Sequence, residues 1–214
     1  MTEIIEDIKQ EGITSAYIEA PFDGAQEALE SENYFIISLK RNAKLRIQQG
    51  KNSGISKNGN WTREGILWVP KGKPKLVPTS PILYSPKEAI QDHRYEREFY
   101  PTRERIESAL VDSVDFPEKN IEIPTNRFSE DALTVFAFGG EVEARNYGEF
   151  LREAGIKEML VRAVAQSYVD SQNQPFARQM WFGNLDCRSA LDGDNRYLNV
   201  SYRLRGIKED DVGY

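Results

Sequence analysis

Residues 33–83, NYFIISLKRNAKLRIQQGKNSGISKNGNWTREGILWVPKGKPKLVPTSPIL, set the fold class of this chain. The opening NYFIISL (33–39) is apolar and rich in aromatic and β-branched residues, the composition of a buried strand. AKLRIQQ (43–49) sets Leu45 and Ile47 against Lys44, Arg46 and Gln48, an alternation that predicts a half-exposed strand. GKNSGISKNGN (50–60) is too polar and glycine-rich for the inside of an element and reads as a loop. GILWVP (65–70) predicts another strand, ended by Pro70. Its prolines and glycine make 71–83 extended, with room for an edge strand. The whole stretch therefore reads as a β-rich meander with one long loop.

Helices are expected on the C-terminal side. Ser85-Pro86-Lys87-Glu88 joins a capping serine, a proline at the first helical position and a glutamate three residues on, so a helix is predicted over 86–98. A second runs from Pro101 to about Ser113, with Ile106, Leu110 and Val111 as its apolar stripe, and FPEKNIEIP (116–124) breaks it. LTVFAF (133–138) reads as a buried strand ended by Gly139-Gly140. The apolar residues of 141–171 recur at helical spacing, and Gly155 splits them into two helices. FARQMWFGN (176–184) and NRYLNVSYRLRGI (195–207) alternate as strands, with DGDN (192–195) as a turn. On the N-terminal side, Ile4, Ile5 and Ile8 suggest one short helix, and Asp23 could cap another over Gly24–Ser31. Strands and helices come in blocks rather than in strict alternation, which favours α+β over a doubly wound sheet. The expected organisation is an acidic segment (1–32), a single α+β domain (33–207) with a β-rich N-terminal half (33–83), and a frayed tail (208–214).

At 214 residues, the chain has the length of one domain and enough surface to bury a core without staples. Apolar residues make up 39% and charged residues 29%, with no apolar stretch long enough to span a bilayer. The acidic N-terminus has no basic region followed by an apolar one, so no secretory signal is expected and a cytoplasmic location is. The single cysteine, Cys187, excludes an internal disulfide, and with the single histidine, His93, it excludes the common zinc motifs. No cofactor is expected.

The net charge of −6 is unevenly spread: 1–32 carries −8, 40–75 carries +9 and 76–214 carries −7. A segment at +9 in an acidic protein must find anions, either in a ligand or in the chain's own N-terminal residues. Lys44, Arg46, Lys51, Lys57, Arg63 and Lys71 are the candidate anion-binding residues, with Trp61 and Trp68 as possible stacking faces beside them. The spacing of GKNSG is not that of a phosphate-binding P-loop. Trp68, between Leu67 and Val69, also reads as core.

The other constellations have plainer readings. Asp186-Cys187-Arg188-Ser189 with Asp192 and Asp194 lacks the spacing of a cysteine phosphatase and the ligand set of an EF-hand. Cys187 reads as a small core residue. His93, in QDHRYERE, reads as a surface histidine. Glu141 and Glu143 suit the first turn of a helix as partners of its dipole.

EVEARNYGEFLREAG (141–155) resembles the first helix of the formylglycine-generating enzyme family, a C-type-lectin-like fold, and CRSALDGDNRYLNVSYRL (187–204) resembles its closing strands. The two stretches cover 33 of 214 residues, and only 31 residues separate them where the family has a much longer insert. The copper-binding cysteine pair of that family has no counterpart in a chain with one cysteine. The resemblance implies no activity here, only a lectin-like β-subdomain at the C-terminus.

The expected function is that of an accessory binding protein for an anionic partner, nucleic acid or a phosphorylated ligand, acting through 40–75. The alternatives are a small enzyme using carboxylates, His93 or Cys187, and a subunit of a larger assembly or homo-oligomer. In the last case Phe176, Met180, Trp181 and Phe182 would anchor the interface.

Overall fold

The computed structural model describes residues 3–10 and 12–209. The chain opens with a hairpin, β1 (Ile5–Gln10) and β2 (Ile13–Ala20), where the isoleucines suggested a helix. β-Branched residues and Gly12, left-handed at φ 74°, favour the hairpin. Helix α1 (Phe22–Ser31) follows; its N-cap is Pro21, and Asp23 lies in its first turn. Only β3 (Phe35–Ile36) forms from the strand expected over 33–39.

The main departure lies at 43–49, which is helical. Helix α2 (Leu39–Gln49) starts at Ser38, whose Oγ accepts the Arg41 N–H at 3.2 Å, and stops at Gly50 with φ 79°. Leu39, Asn42, Ala43 and Arg46 are buried, the three- and four-residue spacing of a helix face. An arginine in that face breaks the apolar pattern and leaves Leu45 and Ile47 as an apparent alternation. The side chains are the other way round: Arg46 is fully buried and Ile47 is 38% exposed.

The loop after α2 holds one short helix, α3 (Gly54–Lys57), before β4 (Asn60–Trp68) and β5 (Lys75–Val77). A 3-10 turn at Pro81–Tyr84 leads to α4 (Pro86–Arg94) and α5 (Arg103–Leu110), both shorter than expected. The Ser85 side chain makes no capping bond, while Thr102 caps α5. Leu110 and Val111, assigned to a buried stripe, are exposed. β6 (Val114–Asp115) and β7 (Ile121–Pro124) occupy the break between helices.

LTVFAF is also a helix, α6 (Ala132–Phe138). A short apolar run cannot separate a buried strand from a buried helix; its ends can. Asp131 caps this one by accepting the Thr134 N–H at 3.0 Å, and Gly139, left-handed at φ 87°, closes it. Helix α7 (Glu141–Glu153) begins after Gly140. The second helix expected in 141–171 is instead strand β8 (Glu158–Arg162) and the short α8 (Gln166–Asp170). β9 (Phe176–Phe182) is as expected; β10 (Leu191–Asp192) is brief, and β11 (Tyr202–Glu209) starts later than expected.

These strands form one mixed sheet in the order β1-β2-β11-β4-β9-β10-β8-β7, with β3 also on β11 and β5 on β4. The acidic N-terminal residues are therefore part of the domain: β2 pairs antiparallel with β11 from Ala20↔Tyr202 to Ile13↔Glu209. Two of their acids meet the last strand. Asp7 holds Arg205 through both carboxylate oxygens, at 2.6 and 2.7 Å, and Glu19 holds Arg203 at 2.5 Å. Two apolar cores lie on opposite faces of the sheet. Phe22, Leu29, Trp61 and Ala177 fill one, under α1 and α4. Trp68, Phe138, Tyr147, Met180 and Phe182 fill the other, under α2, α6 and α7. Phe176, Met180 and Phe182 are thus core residues, and only Trp181 keeps partial exposure. Among the described residues, no helix is long and apolar enough to cross a membrane.

The cap on α6 gives a direct check. Asp131→Ala should lower stability by about 1 kcal/mol, and Asp131→Asn by much less. Urea unfolding midpoints measure both.

Candidate functional site

The six candidate anion-binding residues do not share one surface. Arg46 lies in the interior. Its Nη1 donates to the Gly183 carbonyl at 2.8 Å, Ser189 Oγ at 3.1 Å and Tyr147 Oη at 3.2 Å, and its guanidinium lies 4.0 Å from the centre of the Phe182 ring. It cannot meet a ligand from solvent. Lys51 and Lys57 are exposed around α3, and the Lys57 carbonyl accepts from Asn184. Lys71 is exposed, with its backbone N–H on Asp170. Lys73 and Lys75 both pair with Asp115, at 3.0 and 2.5 Å. Trp61 and Trp68 are fully buried and offer no stacking face.

Lys44 and Arg63 do come together. With Lys40 and Arg41 they line one side of a cleft of about 1190 Å³ between α2 and α7. Glu143, Asn146, Glu149 and Glu153 of α7 line the other side, with Ala43, Ile47, Phe138 and Phe150 between them. The basic residues therefore face acids of their own chain across open space, which the charge pattern alone did not show.

The candidates for an enzyme site are also dispersed. His93 is buried, 8% exposed, rather than on the surface. Burial pushes its pKa down to about 4, opposed by Glu98 and aided by Arg178 and Arg196. Its neighbours form a polar network the sequence did not reveal. Glu98 accepts from Arg178 at 2.7 Å and from the Tyr168 hydroxyl at 2.7 Å, and Arg178 also reaches Asp194 at 2.5 Å. Cys187 is exposed rather than core, and Arg188 reaches across to Glu122. Among the described residues, no group of three or more His, Cys, Asp or Glu is placed to hold a metal ion. Glu64 is buried and accepts the Leu39 N–H at 3.0 Å, at the start of α2. Burial pushes its carboxyl up to about 7.

A different surface is formed by 183–202, between β9 and β11. Its path is held mainly by backbone: Gly183 N–H on the Ala190 carbonyl at 2.7 Å, Ser189 N–H on Asn184 at 2.8 Å, and Phe22 N–H on the Leu198 carbonyl at 2.8 Å. Ser189, Ala190, Leu191 and Leu198 are buried and anchor it. Arg188 and Ser189 take left-handed backbone angles, φ 57° and 51°, so the turn is drawn tight. Asp186, Tyr197, Asn199, Val200 and Tyr202 are exposed. Tyr197 is 60% exposed, and Tyr202 packs 5.3 Å from Trp181, which lies 5.0 Å from Trp61. A line of rings thus runs from the core to this surface.

No protein-family model and no curated protein matches this chain. A solved structure does: one described as "Accommodation of massive sequence variation in Nanoarchaeota by the C-type lectin fold". The TM-score is 0.64 at 18% identity, over 94% of this chain and 99% of that one. The chain is α+β with the C-type lectin fold, and the likeness extends far beyond the C-terminal subdomain that the sequence resemblance implied.

Two buried groups predict opposite pH dependences. Glu64, at about 7 when folded against 4.5 as a free side chain, keeps its proton in the folded state over a range where the unfolded chain has lost it. Its contribution to stability falls as pH rises from 4.5 to 7 and is constant above. The advantage of Glu64→Gln over the parent should grow across that window, read by urea midpoints at a series of pH values. For His93, about 4 when folded against 6.5 when free, stability is lost as pH falls from 6.5 to 4. His93→Gln should remove that loss. Separately, Arg46→Ala should cost at least about 2 kcal/mol, since it removes charge-assisted bonds and leaves their acceptors buried.

Proposed function

We propose that this is a non-catalytic binding protein whose partner-binding surface is the 183–202 segment together with Trp181. The observation that carries this reading is a division of labour within the segment. Backbone bonds and four buried side chains hold its path, while Asp186, Tyr197, Asn199, Val200 and Tyr202 project from it. Exposed side chains of this kind are free to be chosen for contact rather than for stability. The solved neighbour supports the idea, since the same fold there accommodates massive sequence variation. Tyrosines beside a part-exposed tryptophan, with asparagine and serine among them, have the composition of protein-binding surfaces. The occupant is accordingly a protein surface.

The test is a triple variant, Tyr197→Ala, Val200→Ala and Tyr202→Ala. It should lose about 1–3 kcal/mol in urea unfolding, most of it from the Tyr202 ring that packs on Trp181 and Trp61, and remain folded. A partner captured by the parent and then purified should bind the variant at least about tenfold more weakly, the loss of an interface hot spot. Undiminished binding by the folded variant removes this surface from consideration.

A second reading keeps the anionic partner expected for 40–75, on a smaller footprint. Lys40, Arg41, Lys44 and Arg63 on one side of the cleft favour it. Labelled single-stranded DNA should then bind with a steep negative salt slope that Lys44→Glu with Arg63→Glu abolishes. No binding at low salt rejects it for nucleic acid.

A further inference from the structure

The cleft between α2 and α7 has a pattern that neither a polyanion nor a polycation matches. Lys40, Ala43, Lys44 and Ile47 share one face of α2, at the spacing of successive helical turns. Glu143, Asn146, Phe150 and Glu153 share one face of α7 in the same way, and Glu149 lies beside Phe150. The two helices are fixed to each other by the bond from Arg46 to the Tyr147 hydroxyl, so the space between them is a built feature of the fold. One ridge is basic and the other acidic. Lys40, Lys44, Glu143 and Glu153 have no ion-pair partner among the described residues, and Glu149 pairs only with Arg152 of its own helix, at 3.9 Å, so the ridges do not neutralise each other through these groups. Between them the lining is apolar, and Phe35, 73% exposed, adds an aromatic ring.

We propose that this groove binds an amphipathic helix of a partner protein, with an apolar stripe flanked by acids along one edge and bases along the other. The acidic edge lies on Lys40 and Lys44, and the basic edge on Glu149 and Glu153. A uniformly anionic strand would face the glutamates at every step, and a uniformly cationic one the lysines. Only an occupant of mixed edges satisfies both ridges while covering the apolar floor, the geometry of helix-in-groove recognition. The groove shares its cationic side with the anion reading, but it is built from elements other than 183–202. That surface and this one can each fail alone.

The probes are three synthetic peptides of about five helical turns with the same leucine stripe. Their edges are glutamate and lysine, glutamate on both sides, or lysine on both sides. Fluorescence anisotropy should show the mixed peptide binding about tenfold tighter than either of the others. Lys40→Glu with Lys44→Glu should move the preference to the all-lysine peptide, and Glu149→Lys with Glu153→Lys to the all-glutamate peptide. Phe35→Asp with Ile47→Arg should weaken binding of the mixed peptide at least about tenfold; all six substituted positions are exposed ridge or lining residues, and circular dichroism checks that the variants fold. An all-glutamate peptide that binds the parent as tightly as the mixed one overturns the proposal in favour of a polyanion surface. Mixed-peptide binding unchanged by Phe35→Asp with Ile47→Arg places the contact elsewhere and overturns it. Failure of every peptide to bind the folded parent overturns it too, and leaves the single-stranded DNA result to stand by itself.

Discussion

The Arg46 guanidinium is the point at which three parts of this protein are fastened. It sits on α2, donates to Tyr147 on α7, and reaches Gly183 and Ser189 in the irregular stretch after β9. Its acceptors are carbonyl and hydroxyl oxygens, and the Phe182 ring covers one of its faces. Taking a cation out of water is costly, and bonds of good geometry are what offset it. Tyr147 and Ser189 also bond each other at 2.5 Å, so the network closes on itself. The placement of the α2–α7 groove depends on this single buried charge, which also adds two bonds to those that hold the path of 183–202.

That same residue explains where the sequence misleads. Charge pattern assigns an arginine to solvent, and with Arg46 outside, 43–49 alternates like a strand. With Arg46 inside, the residues form a helix face. The strand assigned to 133–138 failed for another reason. Its apolar run is silent on period, and the informative residues were Asp131 and Gly139 at its ends. Where the pattern was long or the turn chemistry specific, the reading was sound: β9, the helix starting at Pro86 and the first helix of 141–171 are all present. The α+β class survived because errors at 43–49 and 133–138 changed strands into helices without changing the block-like arrangement.

The candidate site was less legible than the fold, because charge along a chain does not say which charges meet. Of the residues chosen in 40–75, one is interior, two share a cleft, and three are spread elsewhere. The glutamates that face Lys44 lie about a hundred positions later, on a helix whose acids looked like ordinary dipole partners. The network of Glu98, Arg178 and Tyr168 beside His93 was equally invisible, since its members come from separate elements and converge only in the folded chain. The exposed residues of 183–202 were read differently: DGDN announced a turn, but the alternation of 195–207 placed Val200 and Tyr202 on one strand face with Leu198 and Leu204, whereas both are exposed.

The pairing of β2 with β11 has a consequence for how the chain is made. One edge of β2 pairs with β1 of the opening hairpin, but all eight of its residues also pair with β11 on the other edge, so this part of the sheet can close only after residues 202–209 have been synthesised. Contacts of such long sequence separation close a large loop and slow folding. Until then β2 has an unpaired edge, the kind of strand that invites pairing with another molecule. Its neighbourhood carries Asp7 and Glu19, whose arginine partners on β11 arrive last. On a nascent chain those acids are unpaired and repel their counterparts on neighbouring molecules. The negative charge that ends in ion pairs with Arg203 and Arg205 thus lies beside the very edge that is open until β11 arrives, where like charges oppose edge-to-edge pairing.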